Sequence, residues 1–133
     1  MTKSFSAIFL IAAMNAGAPA WAYGDAKAGQ SLFQNRCVAC HSAQPTRKPA
    51  PLLDEVYGRR AGMAPNYTYS AALRGASVIW NARTLDRWLI DPPKFIPGVS
   101  MQARLADPQE RQNIIAYLRS ISSKRTSQDN AGD

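Results

Sequence analysis

Both cysteines and the single histidine of the chain lie together in the stretch Cys37-Val38-Ala39-Cys40-His41. Residues three apart lie on the same side of a helical turn. Both thiols can therefore reach one edge of a large ring, while the adjacent imidazole projects beneath it. The pattern C-x-x-C-H is the attachment signature of haem c. It predicts one haem c, bound through thioethers at Cys37 and Cys40, with His41 as an iron ligand.

Other sites that use paired cysteines fit the stretch less well. A thioredoxin-like redox pair expects a strand–helix unit around it, and no alternating pattern is present here. A structural zinc site needs four ligands, and two thiols with one imidazole are too few. A disulfide between Cys37 and Cys40, or a chance match to the pattern, stays open as the alternative, although neither explains His41.

The second axial ligand cannot be a histidine of the same chain, because His41 is the only one. Methionine paired with histidine is the ligation of electron-transfer cytochromes c. Beyond the first 22 residues the candidates are Met63 and Met101. Pro97-Gly98 predicts a turn with a rigid approach to Met101, which favours it. Met63 stays open, with a surface or gap-filling side chain as its simpler interpretation.

The first 22 residues have the pattern of a secretory signal peptide. Lys3 provides a positive end, residues 5–13 are almost wholly apolar, and Ala20-Trp21-Ala22 resembles a cleavage site. The apolar run is shorter than the roughly 20 residues of a membrane span, although a retained anchor is an alternative. The pattern predicts a periplasmic protein, cleaved after Ala22.

Charge indicates the kind of partner. The chain has 16 Lys and Arg against 9 Asp and Glu, a formal net charge of +7. A positive balance favours acidic partner surfaces. The bases occur in runs no longer than two, which argues against a nucleic-acid-binding arm. We therefore expect acidic protein surfaces as partners and no nucleic acid.

Helix signals indicate an all-α protein. Asp25, Ser70 and Asp107 are predicted N-caps, each followed by a helix, and a further helix is predicted to begin near Asn81. No stretch requires a strand, and proline-rich connections separate the helices. The polar sequence from Ser122 predicts disorder. The chain thus divides into a signal peptide (1–22), one domain (23–121) and a disordered tail (122–133).

Several stretches beyond CVACH resemble a known family: YGRRAG (57–62), NYTYSAAL (66–73), Trp80, DPPKFIPGVSM (91–101) and IIAYLRS (114–120). With them, residues 24–120 resemble class I cytochromes c of the mitochondrial and soluble bacterial type. The resemblance implies their small all-α fold, with helices and long loops wrapped around one haem, and places Met101 on the family's methionine ligand. It also implies that Gly29 and Phe33 pack against the last helix near Tyr117.

The resemblance assigns four further residues to the haem. Pro51 matches the proline whose carbonyl accepts a hydrogen bond from the ligand histidine, His41. Arg59, Tyr69 and Trp80 match residues that donate hydrogen bonds around a buried propionate. A buried carboxylate needs such donors. An ordinary core side chain is the alternative for Trp80.

The function implied is a soluble one-electron carrier rather than an enzyme. The donor would be a quinol–cytochrome c reductase, and the acceptor an oxidase, reductase or photosynthetic reaction centre, with the carrier a monomer. Arg36 and Lys94 are predicted to flank the exposed haem edge. A cytochrome subunit dedicated to one dehydrogenase and a haem-based ligand sensor are the alternatives.

Overall fold

The computed structural model describes residues 24–41 and 50–129, so the predicted signal peptide lies outside the described residues. Five helices follow in order: α1 (Ala26–Arg36), α2 (Ala71–Gly75), α3 (Ala82–Ile90), α4 (Pro92–Phe95) and α5 (Pro108–Asp129). The described ranges contain no strand, and only an isolated antiparallel bridge joins Arg60 to Ile79. The predicted all-α architecture is confirmed.

The helices begin where the N-cap signals predict. The side chains of Asp25, Ser70 and Asn81 each accept hydrogen bonds from backbone N–H groups in the first turn of the following helix. Asp107 accepts the backbone N–H of Gln109 at 2.8 Å, at the start of α5. Each cap satisfies donors that the helix itself leaves unpaired, which is why these polar residues set the helix starts.

A short helix after α3 is absent from the sequence-based prediction. Pro92 and Pro93 end α3 as expected, but Asp91 then caps α4, accepting the backbone N–H of Lys94 at 3.3 Å. Proline is well tolerated in the first helical turn, since its missing N–H would be unpaired there. The same prolines therefore stop one helix and start the next.

The sequence predicts disorder from Ser122 onward, whereas α5 continues to Asp129; residues 130–133 lie outside the described residues. The side chain of Ser122 is buried. Its hydroxyl donates to the carbonyl of Leu118 at 2.9 Å and accepts the backbone N–H of Tyr57 at 3.1 Å. This tertiary contact stabilises helix in a stretch whose polar composition alone would not favour it.

No helix in the described part of the chain is long and apolar enough to span a membrane.

The first and last helices pack together closely. A Cβ added at Gly29 would lie 1.9 Å from the carbonyl oxygen of Asn113 on α5. One turn further along α1, the rings of Phe33 and Tyr117 lie 5.3 Å apart. The predicted contact of Gly29 and Phe33 with the last helix is confirmed. This packing fixes the end of α1, where the cysteine–histidine stretch begins.

Candidate functional site

The stretch Cys37–His41 forms a helical turn that continues from α1. The backbone N–H of Cys37 donates to the carbonyl of Phe33 at 2.9 Å, as in a regular helix. The N–H groups of Cys40 and His41 both donate to the carbonyl of Cys37, at 3.1 and 2.8 Å. One turn thus brings the two cysteines and the histidine together at the end of α1.

A cavity of about 560 Å³ opens beside this turn. All eight residues assigned to the haem line it: Cys37, Cys40, His41, Pro51, Arg59, Tyr69, Trp80 and Met101. Much of the remaining wall is apolar and comes from α3 and α5: Leu85, Trp88, Leu89, Ile114 and Leu118. Sites that bury a large organic group are concave, mostly apolar and of this size. The residues present fit a large apolar group bound by polar side chains at a few points.

The imidazole of His41 is held in one tautomer. Its Nδ1 lies 2.7 Å from the carbonyl oxygen of Pro51. A carbonyl can only accept, so Nδ1 carries the hydrogen and Nε2 keeps a free lone pair. Burial lowers the pKa of His41, although the hydrogen bond to Pro51 opposes this. The ring is therefore neutral at pH 7 and suited to bind a metal through Nε2.

The electrostatics of Cys37 do not suit a thiol–disulfide catalyst. Burial raises the pKa of the Cys37 thiol, and the opposing effect of the neighbouring Arg36 is smaller. Reactive cysteines of redox enzymes have lowered pKa values, because the thiolate is the attacking species. The site thus disfavours a thioredoxin-like pair, in agreement with the absence of strands in the described residues.

Arg59 and Trp80 are brought together by a short backbone ladder. The N–H of Trp80 donates to the carbonyl of Arg59 at 2.9 Å, and the N–H of Gly58 donates to the carbonyl of Trp80 at 2.7 Å. Burial raises the pKa of Tyr69, and a hydrogen bond to the Ala64 backbone and the nearby Arg59 guanidinium oppose this less strongly. A phenol and a guanidinium therefore both line the cavity and lie close enough to interact.

The two methionines differ clearly in their surroundings. Met101 lines the cavity and packs against the hydrophobic core, whereas the cavity lining does not include Met63, which is 60% exposed. The turn before Met101 depends on Gly98, whose φ of +91° lies in the region that favours glycine. Of these two residues, only Met101 shares the cavity with His41.

A model of the Cytochrome c family matches residues 26–122 of the chain. The chain belongs to the cytochrome c family. Among its relatives are a cytochrome c of Sesamum indicum and one of Euglena viridis. The first is 40% identical over 99 residues, which cover 72% of this chain and 89% of the relative. The second is 38% identical over 100 residues, which cover 74% and 98%.

A bacterial relative matches a longer part of the chain. A cytochrome c2 of Rhodomicrobium vannielii is 35% identical over 119 residues, which cover 87% of this chain and 94% of the relative. Membership of the family makes the protein an electron carrier with covalently bound haem c. The family resemblance and the cofactor predicted from CVACH are both confirmed.

The cavity wall includes residues that the sequence does not predict. Tyr67 lines the cavity, and its ring lies 4.7 Å from that of Tyr69. The two tyrosines are two residues apart, a spacing that places side chains on one face wherever a chain is extended. That spacing was a usable signal. Arg36, expected on the docking surface, also lines the cavity and pairs with Glu110 at 3.2 Å.

Proposed function

We propose that His41 and Met101 are the two axial iron ligands and that the protein shuttles single electrons between larger redox proteins. The observation that carries this proposal is the shared cavity, which both residues line while Met63 remains outside it. Pro51 would orient His41 through the 2.7 Å contact to Nδ1. Arg59, Tyr69 and Trp80 would hold a propionate.

When bound, the haem supplies an iron that gains and loses one electron. The chain determines how this centre behaves. His41 and Met101 would hold the iron through an imidazole and a thioether, which would leave no ligand position for a substrate. The thioether and the apolar wall raise the reduction potential, because both disfavour the more highly charged oxidised form. These properties suit an electron carrier better than an oxygen- or peroxide-activating enzyme.

Carbon monoxide tests this proposal on the intact protein. With Met101 bound, ferrous iron has no open position, so we expect no rapid change of the absorption spectrum on mixing with carbon monoxide. Rapid and complete binding would contradict the shuttle and favour the ligand sensor. The reduced protein without carbon monoxide is the control.

We further propose that the protein is exported to the periplasm and cleaved after Ala22. The order of Lys3, an apolar run and Ala20-Trp21-Ala22 supports this. The mature protein is then expected to begin at Tyr23, which intact-mass measurement of the haem-bearing protein checks. A product that retains residues 1–22 would instead support the membrane anchor.

The proposed donor is a quinol–cytochrome c reductase, and the proposed acceptor is an oxidase, reductase or photosynthetic reaction centre, met through acidic surfaces. Arg36 supports this, because its side chain is 51% exposed and also lines the cavity beside Cys37. Its pairing with Glu110 leaves the positive charge beside the predicted haem edge weaker than the sequence suggests. Lys94, on α4, is exposed.

Removing the charge of Arg36 is expected to slow association with a cytochrome c oxidase. Arg36→Gln should lower the second-order rate roughly twofold at low salt, because charges at the exposed edge of an interface act mainly on the association rate. Arg83→Gln is the matched control, since Arg83 is exposed but does not line the cavity. Stopped-flow rates across a salt series measure the effect. Equal rates for both variants, with no salt dependence, would exclude electrostatic docking at this edge.

A further inference from the structure

A buried arginine donates hydrogen bonds to the backbone of residues 101–107, here called the Met101 segment. Arg111, near the start of α5, is only 8% exposed. Its Nε donates to Asp86 Oδ1 on α3 at 2.8 Å. Its Nη1 donates to the carbonyl oxygens of Leu105 at 2.9 Å and Ala106 at 2.8 Å. One side chain thus joins α3, α5 and the end of the Met101 segment.

The structure shows few other hydrogen bonds to the backbone of this segment. Residues 101–107 lie in no helix or strand of the described structure. The N–H of Leu105 donates to the carbonyl of Leu89 at 2.8 Å. The carbonyl of Leu105 accepts a hydrogen bond from Arg111. Leu105 is therefore fixed on both sides, only four residues beyond Met101. Backbone without a regular hydrogen-bond pattern relies on such individual partners.

We propose that Arg111 is a positioning residue for Met101: by holding Leu105 and Ala106 it limits the movement of the thioether away from the iron. This inference rests on the proposed ligation by His41 and Met101. The planar guanidinium is essential to it, because one fork reaches a carboxylate and two carbonyls together. An ammonium is a single point charge without that fixed fork.

Imidazole added to the oxidised protein measures this movement. An external ligand binds iron only in molecules whose Met101 has moved away, so its apparent affinity rises with the fraction of such molecules. Arg111→Ala is expected to tighten imidazole binding by about tenfold. Arg111→Lys should give a smaller increase, because it keeps the charge and loses the fork. An unchanged affinity in both variants would overturn the inference.

The matched control removes another arginine ion pair from the same segment. Arg104 pairs with Asp91 at 3.0 Å, and its side chain is 52% exposed. In the described structure its side chain bonds to Asp91 and to no carbonyl of the Met101 segment. Arg104→Ala is expected to leave imidazole affinity within about twofold of the unmodified protein. An effect as large as that of Arg111→Ala would mean that any lost ion pair loosens the segment, and would overturn the specific role.

A double-mutant cycle separates this inference from the proposed ligation. Met101→Ala alone is expected to give the tightest imidazole binding, and adding Arg111→Ala to it should change nothing further. If Met101→Ala has no effect, the proposed ligation fails, and the inference fails with it. If Met101→Ala tightens binding while Arg111→Ala and Arg111→Lys do not, only the role of Arg111 fails. Should Arg111→Ala not fold, Arg111→Lys replaces it in the cycle, with the smaller increase in imidazole affinity expected of it.

Discussion

Replacing Met101 with alanine is expected to abolish the weak long-wavelength absorption that a sulfur–iron bond gives the oxidised protein. The side chain of Met101 lies in the cavity shared with His41, and no second histidine exists to replace it. The same change should lower the reduction potential by on the order of 0.2 V, because axial ligands tune haem over about 0.8 V. Absorption spectroscopy and a redox titration measure the two effects.

Met63→Ala is the matched control for this experiment. It removes the same thioether from a position that is 60% exposed and does not line the cavity. Both the absorption and the potential are expected to stay unchanged. Loss of the absorption in Met63→Ala, with its survival in Met101→Ala, would reverse the ligand assignment.

Gly29→Ala is expected to destabilise the fold by about 3 kcal/mol. The new Cβ would lie 1.9 Å from the carbonyl oxygen of Asn113 and 2.5 Å from its carbon. Both atoms belong to the backbone of α5, so no side-chain rotation relieves the clash and the two helices must separate. Denaturant unfolding followed by circular dichroism measures the loss, and the haem absorption confirms that haem remains attached.

Gly75→Ala makes the same chemical change at a helical glycine with open surroundings. Apart from its chain neighbours and the backbone of its own helix, no atom lies within 4 Å of a Cβ placed there. We expect its effect on the free energy of unfolding to stay below about 1 kcal/mol, with the propensity of alanine for helix slightly favourable. Equal effects at Gly29 and Gly75 would show that close helix packing does not limit stability.

The sequence predicts the residues of this site well wherever their chemistry is local. Covalent attachment needs two thiols and an imidazole in one turn, so Cys37, Cys40 and His41 are visible as a contiguous pattern. The helix starts are equally local, because an N-cap side chain binds backbone groups two or three residues away. Met101 is less directly visible, since only a neighbouring turn and the family resemblance predict it.

Contacts between distant parts of the chain were not predictable in the same way. The helical end of α5 depends on Ser122 binding the backbone of Tyr57, 65 residues earlier. Composition alone favoured disorder there. Arg59 and Trp80 lie close together because two backbone hydrogen bonds join their segments. Neither segment has the alternating sequence pattern of a strand, so only the family resemblance predicts this proximity. Arg111 gives no sequence signal, because its partners lie on α3 and on the Met101 segment.

The contact between α1 and α5 also has a consequence for folding kinetics. The N–H of Asp25 donates to Asn113 Oδ1 at 2.9 Å, across 88 residues, and the chain from Cys37 to Met101 lies inside the loop that this contact closes. The entropic cost of closing a loop grows only with the logarithm of its length. Once the two helices associate, every later contact forms within an already restricted chain. We therefore expect the α1–α5 pair to form part of the folding nucleus, with contacts of Met101 forming after the rate-limiting step.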